Sequence, residues 1–125
     1  MFDRQYFSNI DKTNRITIPA EFLRKLGGVK TNIVIIEGSE ACLYLYPFDL
    51  DVIKQAFGEI PSCQTVQIKS FGRIQISDEL KKHAKLKKTI IMVGCGDYIE
   101  VWDIKKWEIE LKKAKNLLYH EIARN

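Results

Sequence analysis

Alternation and three- and four-residue spacing divide the chain into two similar runs of elements. Residues 15–18 (Arg-Ile-Thr-Ile) and 73–76 (Arg-Ile-Gln-Ile) alternate polar with β-branched positions, which predicts half-buried strands with one face in a core. Residues 33–36 and 42–46, and again 90–93 and 98–102, are mostly apolar. The small-residue breaks at 37–40 and 94–97 predict tight hairpins between them. Pro19 suits the first turn of a short helix ending at Leu26, with Gly27 as its left-handed stop. Ser77 is a candidate N-cap for a helix reaching Leu86, and Asp78 and Glu79 complement that helix dipole. Each run reads strand, turn, strand, helix, strand, turn, strand, and a further helix follows each, over residues 48–57 and 104–124.

The two runs are copies of one pattern. Arg15 and Arg73 are 58 residues apart, and Tyr46 and Trp102 are 56 apart, which predicts a shorter helix-to-strand loop in the second copy. Residues 1–58 form the first repeat with its following helix and residues 59–125 the second with the C-terminal helix. In that last helix Trp107, Leu111, Ala114, Leu118 and Glu121 or Ile122 recur at helical spacing. An apolar stripe of this kind needs cover, either from the chain's own sheet or from a neighbouring subunit.

Composition narrows the function. The 125 residues are 46% hydrophobic and 29% charged, enough for one domain with a core. No apolar run approaches the roughly 18 residues of a membrane span. The N-terminal stretch lacks the apolar segment of an export signal, so a cytoplasmic protein without a membrane partner is expected. Three cysteines without a C-x-x-C spacing read as thiols, with Cys42 and Cys95 as small buried hydrophobes. His83 and His120 have no ligand spacing, and His83, among Lys81, Lys82 and Lys85, reads as solvated or phosphate-facing. Residues 94–96 (Gly-Cys-Gly) are a turn rather than a nucleotide loop, because an alternating strand follows instead of a helix. No cofactor, metal, small-molecule substrate or catalytic constellation is expected, and an enzyme ranks last.

The net charge of +4 is unevenly distributed. Residues 11–30 hold Lys12, Arg15, Arg24, Lys25 and Lys30 against Asp11 and Glu21, a net of +3. Residues 69–88 hold Lys69, Arg73, Lys81, Lys82, Lys85, Lys87 and Lys88 against Asp78 and Glu79, a net of +5. The remainder is therefore acidic, and matching places in the two copies carry the excess, as a polyanion-binding surface would. Lysine runs alone are often only solvated faces. Arg15 and Arg73 are more telling, because each stands at the mouth of a strand, where a guanidinium can fork onto a guanine edge or a phosphate.

Several of these segments carry a family pattern. Asp11 to Arg15 (D-x-x-x-R), residues 18–20 (I-P-A), residues 42–47 (C-L-Y-L-Y-P), residues 72–74 (G-R-I) and residues 93–103 (V-G-C-G-D-Y-I-E-V-W-D) stand in order across about residues 1–114. In this combination the sequence resembles the MraZ family of bacterial transcriptional regulators, related to the AbrB-type swapped-hairpin DNA-binding domains. It departs from the pattern at Lys69, where the second motif has Asp, at Asn14, where the first has Gly, and at Ser77, where the second has Pro. The connector at residues 59–65 is also shorter than the family's helical one.

The resemblance implies a mixed α/β, mainly β, fold: a double swapped-hairpin β-barrel in which the two repeats form one pseudo-twofold domain with peripheral helices. It implies double-stranded DNA as partner, with Arg15 and Arg73 reading the major groove. Lys12, Asn14, Lys69 and Ser70 would hold phosphates, and Arg24, Lys25, Lys81 and Lys82 would support them. It further implies a homo-oligomer, in the family a ring, on short promoter repeats of a division and cell-wall operon in the nucleoid. The runner-up is the DNA-binding antitoxin of a toxin pair, with the C-terminal helix as toxin-binding tail; a protein-only oligomeric scaffold is a third reading.

Overall fold

The computed structural model describes residues 4–124; residues 1–3, the start of the stretch read for an export signal, and Asn125 lie outside them. Among the described residues, eight strands and four α-helices follow one another in two matching series. The first is β1 (Gln5–Asn9), β2 (Arg15–Thr17), α1 (Ala20–Leu26), β3 (Asn32–Glu37), β4 (Leu43–Pro47) and α2 (Leu50–Phe57). The second is β5 (Cys63–Gln67), β6 (Arg73–Gln75), α3 (Asp78–Ala84), β7 (Thr89–Gly94), β8 (Ile99–Asp103) and α4 (Ile104–Arg124).

The strands pair across the two series. A six-stranded antiparallel sheet runs β1-β7-β8-β4-β3-β5, and β2 and β6 form a separate two-stranded ribbon. The opening strand of each series leaves its own copy: β1 pairs with β7, and β5 pairs with β3. Ile16 faces Ile74 in the ribbon, and Tyr44 faces Glu100 at the sheet centre. Each of these residues stands opposite its own counterpart in the other series. The hydrogen-bonded sheet does not close on itself; β1 and β5 are its edges.

The register locates the length difference between copies. The chain from α1 to β3 spans residues 27–31 and that from α3 to β7 spans 85–88; the hairpin turns span 38–42 and 95–98. The second copy is thus one residue shorter in each of two loops, whereas the sequence pattern assigned the whole difference to the first. The expected connector is also partly strand, since β5 begins at Cys63.

Burial explains the continuous apolar runs. Ile33 and Ile35 of β3, and Ile90 and Met92 of β7, face one core shared with Ile10, Ile16, Ile18, Phe22, Ile68, Ile74 and Ile76. Their alternating neighbours face outward under a helix. Val34, Ile36 and Tyr46 lie under Ile53 of α2, and Ile91, Val93 and Trp102 lie under Trp107 of α4. Two covered faces leave no polar register on these strands, so alternation disappears from the sequence. Asp103, the last residue of β8, is buried directly before α4, where its carboxylate accepts from the N–H groups of Lys87 and Lys105, both at 3.1 Å.

Helix α4 is only partly covered. Trp107 is buried against Trp102, their ring centroids 5.6 Å apart, but Leu111, Leu117, Leu118 and Ile122 are exposed. Of the two covers considered for the apolar stripe, the chain's own sheet supplies only the N-terminal part.

Candidate nucleic-acid interface

The ribbon places its two arginines on one face. Ile16 and Ile74 point into the core, so the positions on either side of them, Arg15, Thr17, Arg73 and Gln75, all point to solvent. Arg15 faces Gln75 and Thr17 faces Arg73, making the arginines diagonal neighbours, which in an antiparallel pair stand roughly 7–8 Å apart at the backbone. The face is continued by the turns that precede each strand. A shallow groove of about 920 Å³ runs along it, bordered by Arg15, Lys69, Phe71 and Arg73.

Both turns close with the same hydrogen bond and are stitched to the opposite copy. The Asn14 and Gly72 N–H groups donate to the Asp11 and Lys69 carbonyls at 3.1 Å, closing the two turns alike. The Ile76 N–H donates to the Asn14 carbonyl and the Ile18 N–H to the Gly72 carbonyl, each at 2.9 Å. Asn14 and Gly72 both have positive φ, 62° and 77°. At Gly72 the approach is close as well, because a Cβ there would lie 2.8 Å from the Ile18 carbonyl oxygen. Asn tolerates the same left-handed conformation in the first turn, and its Nδ2 donates to Asp78 Oδ1 at 2.7 Å, tying that turn to α3. The first turn is held again by Gln75, whose Nε2 donates to the Thr13 carbonyl at 2.9 Å.

The turns differ in how their arginines are held. Asp11 Oδ1 accepts from the Thr13 N–H, the Thr13 hydroxyl and the Arg15 N–H, while Oδ2 accepts from Arg15 Nε, each at 2.9 Å. The Arg15 N–H above all, then the other donors, holds the Asp11 carboxyl down at about 2, so it stays charged at neutral pH. Arg15 is gripped by its Nε edge, which leaves the outer fork of the guanidinium for an acceptor. Among the described residues Arg73 is braced by no such carboxylate. Lys69 stands in the place of Asp11 and donates to Gln67 Oε1 at 3.0 Å, and Arg73 lies 5.6 Å from the ring centroid of Phe71.

The remaining sequence-predicted residues divide into two groups. Lys12, Asn14, Lys69 and Ser70 lie in the two turns beside the arginines, and all but Asn14 are exposed. Arg24 and Lys25 occupy the last turn of α1, and Lys81 and Lys82 that of α3, the helices that follow β2 and β6. His83 is fixed to protein, its Nε2 lying 3.0 Å from the Gly38 carbonyl and its Nδ1 3.6 Å from Glu37. Sequence reasoning missed Gln75, Asp78 and Phe71. Only Gln75 carried a signal, since its outward register follows from the alternation of residues 73–76.

Burial raises the Cys42 thiol to about 12 and the Cys95 thiol to about 11, well away from thiolate chemistry at neutral pH. Among the described residues no cluster of three or more His, Cys, Asp or Glu has metal-binding geometry, and no helix is long and apolar enough to cross a membrane.

Fold and surface together define an internally duplicated, strand-exchanged α/β protein that presents paired arginine turns on a two-stranded ribbon. The chain belongs to the MraZ family. The family described as "MraZ protein, putative antitoxin-like" matches residues 1–50 and 62–124, and the interruption falls on α2 and the connector to β5. The chain is 31% identical to the transcriptional regulator MraZ of Lactobacillus delbrueckii subsp. bulgaricus, over 98% of this chain and 94% of that protein. It is 30% identical to the transcriptional regulator MraZ of Clostridium tetani and 29% to that of Alkaliphilus oremlandii, with the same coverage.

Proposed function

We propose that this chain is a sequence-specific DNA-binding transcriptional regulator that engages short promoter repeats as a homo-oligomer. The observation that carries the reading is the pair Arg15 and Arg73, diagonal neighbours on the solvent face of the ribbon. A two-stranded ribbon fits the major groove, and an arginine fork matches the O6 and N7 acceptors of guanine. Lys12, Asn14, Lys69 and Ser70 contact phosphates on either side. Arg24, Lys25, Lys81 and Lys82 extend the positive field and draw the duplex in. The relatives, themselves transcriptional regulators, support regulation of transcription, and family membership supports a protein that is not an enzyme.

In this reading residues 1–58 and 59–125 are the two repeats of one pseudo-twofold unit. The ribbon caps the six-stranded sheet to complete a double swapped-hairpin barrel. The exposed apolar length of α4, with Leu118 61% and Ile122 65% accessible, packs against a neighbouring copy, and several linked ribbons then give an affinity that one lacks. The family's division and cell-wall operon is the proposed target, in the cytoplasm at the nucleoid. The same uncovered helix favours one second reading, an antitoxin whose α4 receives a toxin; co-purification of a stoichiometric partner would select it.

The test is enrichment of random duplexes by the full chain, followed by anisotropy titrations of the enriched sequence at several salt concentrations. Log K should fall linearly with log salt, with a slope of about −0.9 per phosphate contacted. No binding to any duplex at low salt would overturn the proposal.

A further inference from the structure

The two turns of the ribbon are equivalent by symmetry and unlike in chemistry, and Phe71 is where they differ most. Its counterpart is Thr13, a small residue whose amide and hydroxyl are both tied to Asp11. Phe71 has no such anchor, because the position of Asp11 is taken by Lys69. Its backbone adopts a φ of 64°, a conformation unfavourable for a bulky side chain, directly before the positive φ of Gly72. The residue is 80% accessible, so the isolated chain gains little burial in return for that strain. The ring lies beside the Arg73 guanidinium, at 5.6 Å from the centroid, on the border of the ribbon groove.

We propose that Phe71 and Arg73 together form a subsite for a 5-methylpyrimidine, thymine or 5-methylcytosine, on the base pair next to the guanine that Arg73 reads. The inference rests on the DNA-binding reading above. The C5 methyl is the apolar feature of the major-groove edge, and an aromatic side chain is a suitable contact for it. The guanidinium-to-ring separation is less than two base-pair rises of about 3.4 Å, so an arginine in plane with one base sets the ring against its neighbour. Arg15 is held by Asp11 instead and has no aromatic beside it in its turn. A pseudo-symmetric protein thus reads an asymmetric site, with the methyl contact in the half bound by the second turn.

The experiment uses the full chain and the duplex it enriches most strongly, with each thymine replaced in turn by deoxyuridine, which deletes the methyl and keeps the base pair. One position, beside a guanine whose preference is lost in Arg73→Ala, should weaken wild-type binding by about fourfold, the effect of one buried methyl. Phe71→Gly, which removes the ring and relieves the positive φ, and Phe71→Ala should bind the thymine and uracil duplexes equally at that position. A penalty that persists in Phe71→Gly, or its absence from the wild type, overturns the inference while leaving DNA binding intact. A sharp DNA bend in circular-permutation gels that vanishes in Phe71→Gly also overturns it, assigning the ring to intercalation. Absence of wild-type binding to every duplex overturns both readings.

Discussion

Replacing Ile74 by Ala tests whether the arginine ribbon is held from beneath. The side chain is 1% accessible, faces its own counterpart Ile16 across the ribbon, and belongs to the core shared by both copies. The substitution deletes three buried carbons, about 2.4 kcal/mol at roughly 0.8 kcal/mol each. A residual cavity of about 50 Å³ adds about 1.2 kcal/mol at ~24 cal/mol per Å³. The expected loss of about 3.5 kcal/mol is a large share of the roughly 5–15 kcal/mol that stabilises a typical domain. In urea unfolding it appears as a midpoint lowered by about 2 M with an unchanged slope, for a slope near 1.5–2 kcal/mol/M. Ile16→Ala should match within ~1 kcal/mol. The double variant should cost less than the two losses combined, because one cavity is shared. A loss below ~1 kcal/mol for Ile74→Ala, or a harmless Ile16→Ala beside a damaging Ile74→Ala, would refute the reasoning.

Other expectations follow from single contacts. Asp103→Ala leaves the Lys87 and Lys105 N–H groups without their acceptor and should cost about 2–4 kcal/mol in thermal unfolding, with a loss under ~0.5 kcal/mol contradicting the assignment. Asp11 titrates at about 2 in the folded chain, below its ordinary 3.8. Its stabilisation of the first turn is therefore complete above the unfolded value and is lost as pH falls through about 2; a carboxyl NMR midpoint at or above 3.8 would contradict the brace. Leu118→Asp, at a position 61% exposed, should leave the circular dichroism unchanged and lower the assembly mass in light scattering; an unchanged mass would remove α4 from the subunit contact.

Much of this organisation is legible in the sequence because the chain states it twice. The alternation of residues 15–18 and 73–76 gives the ribbon's inner and outer faces, and Ser77 caps α3 as its side chain requires, accepting from the Leu80 N–H at 3.2 Å. The opening strands β1 and β5 are legible only as members of the predicted order of elements, without bounds or partners. Each is a sheet edge of alternating exposed and half-buried residues. In β1 the pattern even misleads, since Phe7 is 69% exposed while the polar-tipped Tyr6 packs edge-on against Phe22. Their partners lie in the other copy, and no local pattern encodes a pairing between Gln5 and Val93. The site shows the same division. The arginines and turn lysines follow from repeat position, whereas the Asn14–Asp78 tie joins side chains 64 residues apart, and the strained Phe71 backbone depends on how its turn closes.

The central claim is that Arg15 and Arg73 form one DNA-reading face, and the most direct measurement is an anisotropy titration of the Arg15→Ala, Arg73→Ala double variant against the enriched duplex. With circular dichroism and unfolding midpoint preserved, affinity should fall at least ~30-fold, from roughly 1–3 kcal/mol per base-reading arginine, and the preference over a scrambled duplex should disappear. A folded double variant that binds both duplexes as the wild type does would contradict the account.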